Sequence, residues 1–213
     1  NLTATTNYRA SVQNAVCPAV YSNAVTITVW QPVTTAVAGP KQDLCNVTST
    51  KLAGNTPSSG TGKWSQASGP TTASFTNNTD PNTTVNGLAA GIYQFTWTIS
   101  NGTCADSKDV VTITVYGPTV PGTLAAPATV CATANTGTLN LTGYVSSILR
   151  WESSTDGGTT WTNIANTTGS LTYTNLTATT NYRASVQNAV CPAVYSNAVT
   201  ITVWQPVTTA VAG

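Results

Sequence analysis

"VTITVY", Val111–Tyr116, decides the fold of this chain. Apolar residues alternate with Thr over six positions, the mark of a strand with one buried face. The motif recurs as "VTITVW" at Val25–Trp30 and again at Val199–Trp204. The spacings are 86 and 88 residues, together one period of 174. Each copy runs into a Pro-containing stretch: "QPVTTAVAGP" after Trp30, "GPTVPG" after Tyr116 and "QPVTTAVAG" after Trp204. A strand that ends in a Pro-rich linker reads as the last strand of a domain.

The period is also written letter for letter. Asn1–Gly39 and Asn175–Gly213 are identical at all 39 positions, with an offset of 174. A fixed long period marks a tandem array. Surface positions tolerate many substitutions, so identity over this length points to recent duplication or exchange between copies. The chain reads as a window on a longer protein. It divides into 1–30, the last strands of a preceding repeat and a copy of 175–204; a domain at 31–116; a second at 117–204; and the start of a further repeat at 205–213. An isolated hairpin is marginal in water, so 1–30 needs an upstream segment or a neighbouring chain to cover it.

Composition narrows the class. Thr is about a fifth of the residues, charged residues are 6%, and His and Met are absent. Thr, Val, Tyr and Trp favour strands, and Gly, Pro and Asn punctuate turns. No stretch carries a sustained 3.6-residue apolar period. The fold class expected is all-β: tandem β-sandwich domains. A net charge of +1 with no basic stripe gives no footprint for nucleic acid. No apolar run reaches the length of a membrane span.

The five cysteines follow the same division. Cys45 and Cys104 lie 59 apart in the first complete domain, and Cys131 and Cys191 lie 60 apart in the second. The spacing predicts one bridge inside each domain, Cys45–Cys104 and Cys131–Cys191. Cys17 repeats Cys191 and is left unpaired by truncation. Paired cysteines in small domains indicate an oxidising, exported setting.

"GIYQFTWTIS", Gly91–Ser100, alternates as a strand, and Asn101–Gly102 after it is a two-residue hairpin signal. Each first Cys precedes a strand, and a Trp follows some twenty residues later, Trp64 in "GKWSQ" and Trp151 in "LRWESS". Trp64, Trp97 and Trp151 are the expected core tryptophans. A Trp on a central strand against a two-sheet core is a feature of immunoglobulin-like sandwiches. "WSQASGPTTASF…PNTTVNGLAAGIYQFTWTISNGTC" resembles the PKD-like repeats of large bacterial surface proteins. "WESSTDGGTTWTNI…LTYTNLTATTNYRASVQNAVCPAVYSNAVTITV" is similar to the immunoglobulin- or fibronectin-III-like repeats found beside them. Both resemble the repeats of giant exported Bacteroidetes adhesins, the SprB-like gliding adhesins. The resemblance implies an outer-surface filament exported by the type IX secretion system.

Several stretches invite a chemical reading. "STDGGTTW", Ser154–Trp161, fits the Asp-box pattern S-x-D-x-G-x-T-W of sialidase propellers. The pattern is a turn device: Asp156 bonds nearby amides, Gly158 supplies a positive φ, and Ser154, Thr160 and Trp161 complete it. Glycoside hydrolysis generally needs two facing carboxylates. The second domain holds only Glu152 and Asp156, read as a solvated strand end and a turn residue. With no His, Ser–His and Cys–His catalysis are excluded. Cysteines 60 residues apart lack zinc-ligand spacing. Asp106 and Asp109 are the one close acidic pair, too few for a calcium cage. Lys51, Lys63 and Lys108 read as solvated, and the second domain has no Lys for a Lys–Asn crosslink.

The chain is therefore expected to be non-catalytic, with no cofactor or metal. It reads as the extracellular, cell-surface stalk of an adhesin filament that serves attachment and gliding. The partners expected are neighbouring repeats, surface polysaccharides or other filament chains, and the secretion and gliding machinery. Two other readings stand beside it. Each repeat binds sugar through Trp161, Tyr144 or Tyr195, or the chain is an accessory region of a giant secreted enzyme.

Overall fold

The computed structural model describes residues 1–125 and 128–207. Of the expected start of a further repeat at 205–213, residues 208–213 lie outside the described residues. The described chain is all strand and turn, with no helix. Contacts divide it into two compact units. The first holds 1–42, 48–88 and 92–113; the second holds 43–47, 89–91 and the chain from residue 114.

The first unit opens with four short strands, β1 (Thr6–Tyr8), β2 (Ser11–Val12), β3 (Val20–Tyr21) and β4 (Val25–Ile27). They form two separate antiparallel pairs, β1 with β4 and β2 with β3. The sandwich that follows is built from β5 (Gln42–Cys45), β6 (Ser49–Lys51), β7 (Thr61–Ser68), β8 (Ser74–Phe75), β9 (Thr84–Asn86), β10 (Gly91–Ser100) and β11 (Ser107–Tyr116), of which 43–45, 91 and 114–116 group with the second unit. They make two sheets, β5-β11-β10-β7 and β6-β9-β8. Along β10, Tyr93, Phe95, Trp97 and Ile99 are all fully buried, while Gln94 between them is exposed. That alternation is what a two-layer sandwich requires. Trp64 and Trp97 face each other across β7 and β10 and pack with ring centroids 4.9 Å apart. Their indole N–H groups donate to the carbonyls of Pro81 and Asn55, both at 3.2 Å.

Asn101 and Gly102 do not close a two-residue hairpin: six residues, 101–106, separate β10 from β11. The Asn101 side chain caps this longer loop instead. Its Oδ1 accepts from the Cys104 amide at 2.9 Å and its Nδ2 donates to the Gln31 carbonyl at 2.7 Å.

The second unit contains β12 (Thr123–Leu124), β13 (Thr129–Cys131), β14 (Thr136–Thr142), β15 (Ser147–Ser154), β16 (Thr162–Ile164), β17 (Ser170–Thr174), β18 (Thr180–Gln187), β19 (Val194–Tyr195) and β20 (Val199–Trp204). One sheet runs β13-β20-β18-β15-β16, with β19 also on β18; the other runs β12-β14-β17. Between them sit Leu139, Leu141, Trp151, Leu171, Tyr182 and Ile201. Trp151 is fully buried and donates to the Thr168 carbonyl at 3.0 Å.

The duplicated sequence folds the same way twice. Tyr8 pairs with Val25 and Thr6 with Ile27. At the same offsets Tyr182 pairs with Val199 and Thr180 with Ile201. Val12 opposes Val20 as Val186 opposes Val194. Side-chain contacts repeat as well, from Thr26 on Asn7 and Thr200 on Asn181 to Ser22 and Ser196 under the amides of Ala10 and Ala184. Burial is what differs. Tyr8, Val12 and Ile27 are 48%, 70% and 46% exposed, while Tyr182, Val186 and Ile201 are 5%, 0% and 0% exposed. Pairing is thus local to the sequence. The second sheet, which covers the face, comes from residues that precede β18 in the chain.

Candidate functional site

The ends of the sandwiches carry the cysteines, and they are not bridged as the spacing predicts. The bond runs from Cys45 to Cys191, residues 146 apart in sequence; Cys17, Cys104 and Cys131 are free thiols. The pairings Cys45–Cys104 and Cys131–Cys191 are corrected, and strand geometry gives the reason. The Asn46 amide, next to Cys45, donates to the carbonyl of Tyr116, where β11 ends. Cys104 lies in the loop before Ser107, where β11 begins. Ten residues of strand separate the two ends by about 30 Å, and a disulfide needs Cα atoms within about 7 Å. Cys131 and Cys191 are parted the same way. Cys131 pairs with Trp204 at the end of β20, and Cys191 lies in the loop between β18 and β19, ahead of the start of β20.

Each late cysteine reaches back toward an earlier linker. Cys191 is buried, with Sγ 3.2 Å from the carbonyl oxygen of Gly117, the residue after β11. The Asn188 side chain donates to the same carbonyl at 2.9 Å, and Thr119 Oγ1 donates to the Pro192 carbonyl at 2.9 Å. Cys104 repeats this arrangement, with Sγ 3.5 Å from the carbonyl oxygen of Gln31, the residue after Trp30. The linker before the first sandwich is also pinned. The Ala36 amide donates to Ser107 Oγ at 2.8 Å and the Ala38 amide to Asp109 Oδ2 at 2.7 Å. Asp109, half of the acidic pair with Asp106, therefore anchors backbone.

An open cleft of about 690 Å³ lies beside this linker, lined by 28–31, 59–61 and 100–102, with the exposed Trp30 on its wall. It holds no charged side chain. In the second copy, the strand that carries Trp204 has β13 as a parallel neighbour. In the first copy β4 ends at Ile27, short of Trp30, and among the described strands it pairs with β1 alone.

The Asp-box segment is a closed turn between β15 and β16. Asp156 accepts from the Thr160 hydroxyl at 2.6 Å, the Thr160 amide at 2.9 Å and Ser154 Oγ at 2.7 Å. Those bonds, the Thr160 hydroxyl first, hold its carboxyl well below the usual carboxylate range. Gly158 takes φ +94°, its amide donates to Ser154 Oγ, and its carbonyl accepts from Trp161 Nε1 at 2.9 Å.

Glu152 is not a solvated strand end. It is 3% exposed and takes Arg150 and Arg183 at 2.7 Å each, one on each oxygen. Burial opposes its charge, but the two guanidinium groups outweigh that and lower its pKa from the ordinary value. Arg183 lies between two rings, 4.0 Å from the centroid of Trp161 and 3.9 Å from that of Tyr195. Arg150 donates to the Tyr195 hydroxyl at 3.0 Å. Sequence reasoning missed both arginines. The signal for Arg183 was its repeat position, since Arg9 stacks on Tyr21 at 4.0 Å in the first copy. Tyr144, the third aromatic expected to meet sugar, packs against the core. Lys51 lies on β6 and Lys63 on β7, both with exposed side chains. Lys108 is exposed on β11.

Paired, mainly antiparallel sheets around buried tryptophans define an immunoglobulin-like, PKD-like β-sandwich protein. Residues 1–31 and 120–205 match the model of a domain of unknown function, DUF8696. That is more than half of the chain, and the chain belongs to this family. Residues 38–115 match the K319L-like PKD domain. Among solved structures, the PKD domain from KIAA 1837 protein is 30% identical over 42% of this chain and 92% of its own, with a TM-score of 0.36. The I-band fragment I67-I69 from titin is 16% identical over 84% of this chain and 68% of its own, with a TM-score of 0.56. A Ca2+-stabilized adhesin of an Antarctic bacterium that binds ice is 12% identical over 96% of this chain and 58% of its own, with a TM-score of 0.41. No curated protein matches the chain.

Proposed function

We propose that this chain is a stretch of the shaft of an extracellular filament, in which tandem sandwiches set the reach of a cell-surface adhesin. The observation that carries this reading is the duplicated segment. The same 39 residues occur twice, and the first copy keeps the strand register of the second while its core face stands open. A preceding repeat supplies the missing sheet. In such an array contacts run between neighbours, so copies add length without redesign. The finer parts of the reading, export by a type IX system and a role in gliding, rest on the resemblance of the repeats.

The geometry of the carboxyl groups supports a non-catalytic role. Both Glu152 oxygens are engaged by arginine and Asp156 is saturated by its own turn, so neither carboxyl of the second sandwich is available to move a proton. Sugar stacking is disfavoured because Arg183 already occupies a face of Trp161 and of Tyr195. Electron microscopy of the native protein tests the shaft. The expected image is a thread of beads whose length rises with the number of 174-residue copies, and a compact particle contradicts it. Specific capture by a glycan array would favour the sugar-binding reading.

A further inference from the structure

The three free cysteines fall into place when the two sandwiches are compared position by position. Cys45 and Cys131 are equivalent: the residue after each donates its amide to the terminal aromatic of the last strand, Asn46 to Tyr116 at 2.8 Å and Ala132 to Trp204 at 2.9 Å. Cys104 and Cys191 are equivalent as well: each precedes a last strand and sets its sulfur on the carbonyl just after the previous last strand, at Gln31 and Gly117. Every sandwich thus carries one cysteine beside the end of its last strand and one beside the linker it inherits. The bond seen here joins Cys45, of the first kind, to Cys191, of the second kind in the next segment.

We infer that the same bond closes the alternate junction, between Cys131 of one copy and the Cys104 equivalent of the copy that follows. The inference rests on the tandem-array reading. Trp30 and Gln31 repeat Trp204 and Gln205, and Cys131 is the register partner of Trp204. The upstream counterpart of Cys131 would therefore lie beside Trp30, whose carbonyl is 3.9 Å from Cys104 Sγ. The state of all five cysteines follows. Cys17 and Cys104 need partners from a preceding copy, Cys131 needs one from a following copy, and only Cys45 and Cys191 meet within this chain. Closing each bond removes two thiol protons and two electrons. Thiol–disulfide exchange with an oxidising disulfide takes them up and releases that oxidant as two thiols.

Disulfide mapping tests this on two samples. The native full-length protein and the 213-residue chain are alkylated under denaturing, non-reducing conditions, digested and analysed by mass spectrometry. The native protein is expected to yield Cys45–Cys191 and Cys131–Cys104 linked peptides, with under a tenth of Cys131 alkylated. The 213-residue chain is expected to show Cys45–Cys191 alone, with Cys17, Cys104 and Cys131 fully alkylated. A Cys131–Cys104 link in the shorter chain would place the bond within one copy and overturn the inference. So would alkylated Cys131 and Cys104 in the native protein while Cys45–Cys191 stays linked and the two peptides recur in many copies per molecule, a result that leaves the array standing. A single copy of each peptide per native molecule would remove the array and the inference together.

Discussion

Gly62 lies against the Trp97 ring, and a Cβ at that position would overlap the ring atoms. Trp97 in turn packs on Trp64, its register partner, so the indole pair has no room to retreat. Gly62→Ala is expected to destabilise the first sandwich by about 2–3 kcal/mol through overpacking. For a domain of this size that lowers Tm by roughly 8–20 °C. A scanning-calorimetry midpoint within two degrees of wild type would show that the pair is loosely packed.

Glu152 sits between Arg150 and Arg183, and removing its charge leaves two guanidinium groups facing each other. Both arginine side chains keep some solvent contact, which softens the loss. Glu152→Gln is expected to cost the second sandwich about 2–3 kcal/mol, below the 3–5 typical of a broken, fully buried pair. Denaturant titration followed by tryptophan fluorescence measures it. A change under about 0.5 kcal/mol would mean that the pair is an ordinary surface contact.

The same carboxyl sets a pH dependence. Glu152 and Asp156 both titrate below their ordinary values in the folded chain. A depressed folded pKa gives stability that is present above the unfolded value, near 4, and lost as pH falls through the folded one. The second sandwich should therefore weaken steadily from about pH 5 downward, and Glu152→Gln should reduce that slope. A midpoint independent of pH between 5 and 3 would contradict the paired carboxylates.

Residues 1–30 and 175–204 give peptides of one sequence in two environments. Burying each large apolar side chain contributes about 1.5–3 kcal/mol, which the open copy lacks. Hydrogen exchange of the 213-residue chain should split these peptides into two equal isotope envelopes, one fast and one protected. A single envelope would show that both copies are equally covered.

Much of this architecture is legible in the letters. The Thr-alternating motifs marked the last strands, and the position of the tryptophans relative to Cys45 and Cys131 foretold a two-sheet core. Cysteine pairing was not legible from spacing. Separations of 59 and 60 suit a bridge inside each sandwich, and only the strands show that each such pair lies at opposite ends of β11 or β20. The cue lay in the repeat. Cys104 and Cys191 each follow a long strand, while Cys45 and Cys131 each follow a linker, so like ends recur in consecutive domains. Glu152 was misread because its two arginines come from separate positions, one two residues away and one across the sheet on β18.

Stretching the 213-residue chain from its ends, before and after reduction, tests the central claim most directly: that one covalent bond joins consecutive sandwiches. While Cys45 and Cys191 are linked, the 146-residue span between them cannot extend. Reduction is expected to lengthen the fully stretched chain by about 500 Å in a single gain. Two gains of about 200 Å, as bridges inside each sandwich would release, or no change on reduction, would contradict it.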